Sequence, residues 1–213
     1  HQAPKGTLTI TAPVMFGQLY VTPLLTQYLL QWPQLDANCL FLDRVVNLLE
    51  EGVDVAVRIG DLPDSSLHAA RVGRVRRVLV VSPAYAQAHG LPAHPRDLTD
   101  HALISAAGLT AQPEWHFGIG DQAFSQRVQP RMRSTSNEAA IAAAIAGLGI
   151  ARVLSYQVAA QLQSGALVPV LAAHDTAALP IHVVHHGGRR ATQRVRGFID
   201  MVVEGLRGDE SLR

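Results

Sequence analysis

Three short apolar runs dominate the first part of the chain: "TLTITA" (Thr7–Ala12), "ANCLFLD" (Ala37–Asp43) and "DVAVRI" (Asp54–Ile59). Each reads as a strand, and the segments between them have helical character. A helix is expected over roughly Leu19–Gln31: Leu25, Tyr28, Leu29 and, just past it, Trp32 recur at helical spacing, and Pro33 stops the helix. Pro23 is tolerated there only in a first turn, because proline has no N–H to donate. Val45–Glu51 is expected as a short helix closed by Gly52 in a left-handed cap. Strand, helix, strand, helix, strand is the order that builds a parallel sheet covered by helices.

The rhythm then changes. Leu67–Ser82 reads as one long strand whose Arg71, Arg74, Arg76 and Arg77 form a solvated face. Ser82-Pro83 opens a short helix through Tyr85–His89, which Gly90 ends, and Ala102–Ser105 is a strand. Shorter strands are expected around Trp115–Gly118, Ala123–Ser125 and Val128–Arg133. "STSNEAAIAAAIAGLGIARVL" holds the strongest helix, alanine-rich and capped by Thr135 in a Thr135-x-x-Glu138 box or by Ser136. Gly147 and Gly149 end it before a strand at Ile150–Leu154. Ser155–Gln163 is a helix closed by Gly165, and Leu167–Ala172 and Ile181–His185 are strands. In Thr192–Arg207, Val195, Phe198, Ile199, Val202, Val203 and Leu206 make one apolar stripe.

Composition excludes several functions. Eighteen basic against seventeen acidic residues leave a net charge of +1, too even for a nucleic-acid clamp. The single cysteine, Cys39, forms no internal disulfide and is expected as a small buried hydrophobe in a strand. No stretch approaches the ~20 apolar residues of a membrane span, and no leader peptide opens the chain; a cytoplasmic location is expected. The chain starts at His1 rather than Met and is expected to be part of a longer protein. A phosphate-binding glycine loop, a Gly-x-Ser-x-Gly elbow, Cys-x-x-Cys and His-Glu-x-x-His are all missing, so no enzyme activity and no cofactor is expected. His182, His185 and His186 lie close together, but on a strand His185 points away from the other two, and no metal site is expected.

Four places suit a small ligand. They are the loop Pro13-Val14-Met15-Phe16-Gly17 after the first strand, Arg58-Ile59-Gly60 after the third, Ser105 at the end of a strand, and Ser136-Asn137 at a helix start. In open parallel sheets ligands bind outside the carboxyl ends of strands, and a helix start favours an anion.

Five stretches, in this order and spacing, resemble the effector-binding domain of LysR-type transcriptional regulators. They are "GTLTITAPVMFGQLYVTPLL", "GVDVAVRIGDLPDSSLHAARVG", "VSPAYAQAHGLPAHPRDLTDHALI", "AAAIAGLGIARVLSYQVAAQLQSGALVPVL" and "GRRATQRVRGFIDMV". The resemblance covers about Gly6 to Leu206. It implies an α/β fold of two Rossmann-like lobes of the periplasmic-binding-protein type II kind, joined by two crossover strands near Arg76-Arg77 and His174-Asp175. Lobe I would be residues 1–77 and 175–213, lobe II residues 78–174, with an N-terminal winged helix-turn-helix outside this chain.

The resemblance also implies a small anionic or aromatic effector between the lobes. Its contacts would be Val14, Met15, Phe16, Arg58, Gly60, Ser105, Ser136 and Asn137, with Ile150 lining the cleft. Arg58, or Ser136 with its helix amides, would hold an anion. This chain has Met15-Phe16 where many relatives have a small hydroxyl residue, and His185-His186 where relatives often have Tyr-Pro, which points to a larger or more apolar effector. A homodimer through this domain is implied, with a tetramer in the full-length protein, DNA contact only through the absent domain, and no membrane. The alternative on this fold is a periplasmic solute-binding protein of a transport system.

Overall fold

The computed structural model describes residues 3–109, 113–187 and 191–213. Along the chain come β1 (Gly6–Ala12), α1 (Val14–Phe16), a π-helical segment (Gly17–Val21), α2 (Thr22–Gln31), β2 (Leu35–Phe41), β3 (Val55–Ile59) and β4 (His68–Val75). Then follow β5 (Arg77–Val81), α3 (Pro83–His89), β6 (Leu103–Ser105), β7 (Glu114–Phe117), β8 (Phe124–Arg127) and β9 (Met132–Arg133). The remainder is α4 (Asn137–Ile145), β10 (Ile150–Leu154), α5 (Ala159–Ser164), β11 (Val168–Val170), β12 (Leu179–His185) and α6 (Gln193–Arg207). The chain divides into two units, one of His1–Val75 with Leu179–Arg213 and the other of Arg76–Ala178.

The first unit has a five-stranded sheet in the order β2-β1-β3-β12-β4. β1 runs parallel to both β2 and β3, while β12 is antiparallel to β3 and β4. The order leaves β1 flanked on one side by the strand that follows it and on the other by the next, so the chain reverses its winding at β1. Leu8, Ile10, Val55, Ile181 and Val183 are fully buried. α6 lays its stripe of Val195, Phe198, Ile199, Val202 and Leu206 into the core. Phe198 meets the Tyr28 ring of α2 at 5.7 Å, and the Tyr28 hydroxyl donates to the Arg194 carbonyl at 3.1 Å. Each such fully buried side chain stabilises the fold by about 1.5–3 kcal/mol.

The second unit has its own five-stranded sheet, β11-β5-β10-β6-β9, and a separate β7-β8 hairpin. Its core gathers Leu79, Val81, Tyr85, Leu98, Leu103, Trp115, Phe117, Val128, Ile150 and Val170. Ser82 caps α3, its hydroxyl accepting from the Tyr85 N–H at 3.1 Å, as Ser82-Pro83 implies.

Several local expectations change. Helical backbone begins at Val14 rather than Leu19, with a π-helical segment ahead of α2, and Pro23 lies in the first turn of α2, as expected. At the end of the π segment the Thr22 N–H reaches back to the Gly17 carbonyl, which also accepts from the Thr22 hydroxyl at 2.8 Å. Val45–Glu51 is no helix but a turn, held by Glu51 N–H to the Asn47 carbonyl and Glu50 N–H to the Asn47 side chain. The Asn47 side chain takes an amide locally, in competition with a helical hydrogen bond. Leu67–Ser82 is two strands in two different sheets, broken at Arg76. The Arg71, Arg74, Arg76 and Arg77 side chains are exposed, as expected. Cys39 is exposed rather than buried, because β2 is an edge strand. Ser155–Val158 is 3-10 helical, and α5 proper starts only at Ala159. The last resembling stretch begins with residues 188–190, which lie outside the described residues.

Candidate functional site

In the first unit, the carboxyl ends of β1, β2 and β3 surround a pocket of about 210 Å³. Thr11, Ala12 and Pro13 come from β1 and its exit, Leu42 and Asp43 from the exit of β2, and Val57, Arg58 and Ile59 from β3. Asp61, Leu62 and Pro63 follow β3, and Arg44, Val45 and Val46 complete the lining. The pocket sits where the sheet reverses its winding, the position open α/β sheets use for ligands.

Arg58 is partly buried and donates from Nη2 to the Val46 carbonyl at 2.8 Å. That bond fixes the guanidinium and leaves donors over, since the group carries five N–H. It forms none of the ion pairs found among the described residues. Arg44 is different: it is paired with Glu51 at 2.7 Å. Gly60 has φ +107°, a region side chains rarely adopt, and a Cβ there would meet nothing within 4 Å. Its N–H donates to the Pro180 carbonyl at 2.9 Å, tying the turn to the start of β12.

The first loop is placed differently from what its residues suggest. Val14 is exposed and does not line the pocket, and its N–H donates to Asp43 Oδ1 at 3.0 Å. Met15 is half-buried. Phe16 is fully buried and stacks on Tyr20 with ring centroids 4.9 Å apart, so its side chain belongs to the core.

In the second unit, Ser105 ends β6 and is buried. Its carbonyl accepts from the Ser134 N–H at 2.9 Å, and its hydroxyl accepts a longer bond from the Ala107 N–H. Ser136 is the N-cap of α4: its hydroxyl accepts from the Ala139 N–H at 3.1 Å. The hydroxyl keeps its own proton to donate. Asn137 is the first helical residue. These three stand together at the carboxyl end of the parallel pair β6 and β9. Ile150 is fully buried within the unit's core, so its side chain backs the sheet.

Sequence reasoning missed Asp43 and Asp61. Asp43 ends the apolar run Ala37–Asp43, past the strand's last residue Phe41, and Asp61 follows Gly60 beyond the end of β3. The signal for both was position, one step beyond a parallel strand. Among the described residues no cluster of three or more metal-ligating side chains occurs, and no helix is long and apolar enough to cross a membrane.

Residues 1–207 match the model of the family described as the LysR substrate binding domain. An HTH-type transcriptional regulator of Haemophilus influenzae is 32% identical over 194 residues, covering 91% of this chain and 67% of that protein. An HTH-type transcriptional repressor of Pseudomonas aeruginosa is 31% identical, over 94% of this chain and 64% of its own length. The chain thus spans about two thirds of the curated relatives it matches. Among solved structures, CrgA, a LysR-type transcriptional regulator from Neisseria meningitidis, superposes with a TM-score of 0.84 at 25% identity, covering 97% of this chain and 70% of that one. The regulatory domain of AphB in Vibrio vulnificus gives 0.80 at 26% identity, over 94% of this chain and 99% of its own.

Proposed function

This chain belongs to the LysR substrate-binding-domain family, and from that we propose that it senses a small effector for a DNA-binding regulator. Its fold is the periplasmic-binding-protein type II fold of the regulatory domains it resembles. Effector binding acts by favouring one of two conformations, which requires different affinities for the two. DNA is contacted by a winged helix-turn-helix elsewhere in the full protein, and the protein works as a homodimer or tetramer in the cytoplasm. Relatives that are transcriptional regulators support this reading over a transport protein or an enzyme.

The observation that carries the effector reading is the pocket at the carboxyl ends of β1, β2 and β3, with Arg58 held in its wall. Contacts are proposed in each unit on its own account: Val14, Met15, Arg58 and Gly60 in the first, Ser105, Ser136 and Asn137 in the second. Phe16 and Ile150 support these positions from behind.

Two experiments test the reading. The native reading frame upstream of His1 is expected to encode a helix-turn-helix with a basic recognition helix; a cleavable secretory leader there would replace the regulator by a binding protein. A thermal-shift screen of small acids, amines and aromatics is expected to yield a stabilising ligand whose effect Arg58→Ala abolishes.

A further inference from the structure

The start of a helix after β1 is a ready anion site in principle, because its first amides have no helical partner. Here that place is taken. The Val14 N–H donates to Asp43 Oδ1 at 3.0 Å, a bond from the exit of β2 to the exit of β1 across 29 residues of chain. The protein's own carboxylate caps the position an effector carboxylate would seek.

The remaining charges of the pocket point the same way. Arg44 is neutralised by Glu51 at 2.7 Å. Asp61 lines the pocket and has no hydrogen bond or ion pair among the described residues. Asp43 accepts from a neutral N–H and is in neither ion pair found among the described residues. Against these two carboxylates stands one guanidinium, Arg58, held by the Val46 carbonyl rather than by an acid. The pocket therefore carries one cation and two anions at separate positions around about 210 Å³. A simple carboxylic acid satisfies Arg58 but brings a third negative charge beside Asp43 and Asp61.

We propose that Asp43, with Asp61, selects an effector bearing an amine, an amino-acid-like molecule whose carboxylate meets Arg58 and whose ammonium lies by the two aspartates. This rests on the effector reading above and names the ligand class of that same pocket. Asp43 is a specificity residue in this account: it blocks the helix start to anions and presents its charge to the ligand.

The test measures the shift in Tm and the Kd of the twenty common L-amino acids, each against its deamino carboxylate and its decarboxylated amine. At least one amino acid is expected to bind about tenfold or more tighter than its deamino carboxylate, the size of one charge-assisted contact. Asp43→Asn retains an oxygen to cap Val14 and is expected to narrow that ratio to about twofold. A deamino carboxylate that binds wild type as tightly as its amino acid overturns the amine requirement. So does a preference unchanged in both Asp43→Asn and Asp61→Asn. If deamino carboxylates alone bind, and Arg58→Ala abolishes that binding, the effector reading stands and this inference falls. Silence of every probe overturns both.

Discussion

At the scale of single residues, Arg58 answers a question its position raises. A cation at the end of a buried strand needs a reason, and the Val46 carbonyl at 2.8 Å supplies only part of one. Truncation to alanine loses one charge-assisted bond, worth about 1.5–3 kcal/mol at most, less what water regains at a partly open site. Arg58→Ala is therefore expected to fold, with a Tm lowered by a few degrees and effector binding lost. An unfolded variant would make the residue purely structural. The histidines of β12 set a pH dependence. Burial pushes the His182 ring below its usual pKa, with Arg71 adding to the fall and Asp61 opposing it. Burial also depresses His185, helped by His68 and His186. Both rings are thus more basic in the unfolded chain. Their contribution to stability is complete above the ordinary histidine pKa, about 6.5, and declines as pH falls through that value toward the folded pKa. Thermal unfolding is expected to show a lower Tm at about pH 5.5 than at about pH 7.5, with a shallower slope in His182→Asn and His185→Asn variants. A slope unchanged in both variants would assign the acid sensitivity to other groups.

At the scale of elements, α4 offers a clean discrimination. Thr135 and Ser136 both suit a cap by sequence, and only the Ser136 hydroxyl meets the Ala139 N–H. Ser136→Ala is expected to cost about 1 kcal/mol of unfolding free energy, while Thr135→Ala is expected to change little. Equal costs would mean that the cap is shared. The turn from α4 into β10 uses a left-handed backbone at Gly147, φ +89°, and a close contact at Gly149. A Cβ on Gly149 would lie 2.2 Å from the Ala102 carbonyl oxygen, the acceptor of the Ile150 N–H. Both atoms are backbone or fixed to it, so Gly149→Ala must displace β10 from β6. The expected loss is about 1–3 kcal/mol by denaturant titration.

At the scale of the whole molecule, two sheets with two cores make two places where stability is decided. Phe198 is fully buried in the first unit, against Tyr28. Phe198→Ala is expected to cost about 3–5 kcal/mol in that unit. Hydrogen exchange should then quicken in β1, β3 and β12 before β5 and β10 respond. A uniform acceleration across both sheets would show that the chain unfolds as one cooperative body. The near-zero net charge carries a functional consequence at this scale as well. This chain by itself has no cationic excess with which to hold DNA.

The sequence by itself determined the class of the fold and the placement of most elements. Period-two apolar runs and a helix stripe as regular as that of α6 leave few alternatives, because each must bury its apolar side. β10 falls at Ile150–Leu154 as read, and Ser82 and Gly165 do the capping their residue types imply. What failed was local and had tertiary causes. Helical backbone starts at Val14, ahead of the apolar spacing, and passes through a π-helical turn that no propensity encodes. Leu67–Ser82 is a single apolar pattern, yet two sheets share it, a division that depends on which partners each half finds. The candidate site was half legible. Arg58 and Gly60 stood out as residues at a strand's end, whereas Asp43 drew no notice until β2 was laid beside β1 and its carboxylate met the amide of Val14. Spacing along the chain reports which face a residue takes within its own element. Which distant group satisfies its charge or its hydrogen bond is fixed only when the strands are ordered in the sheet.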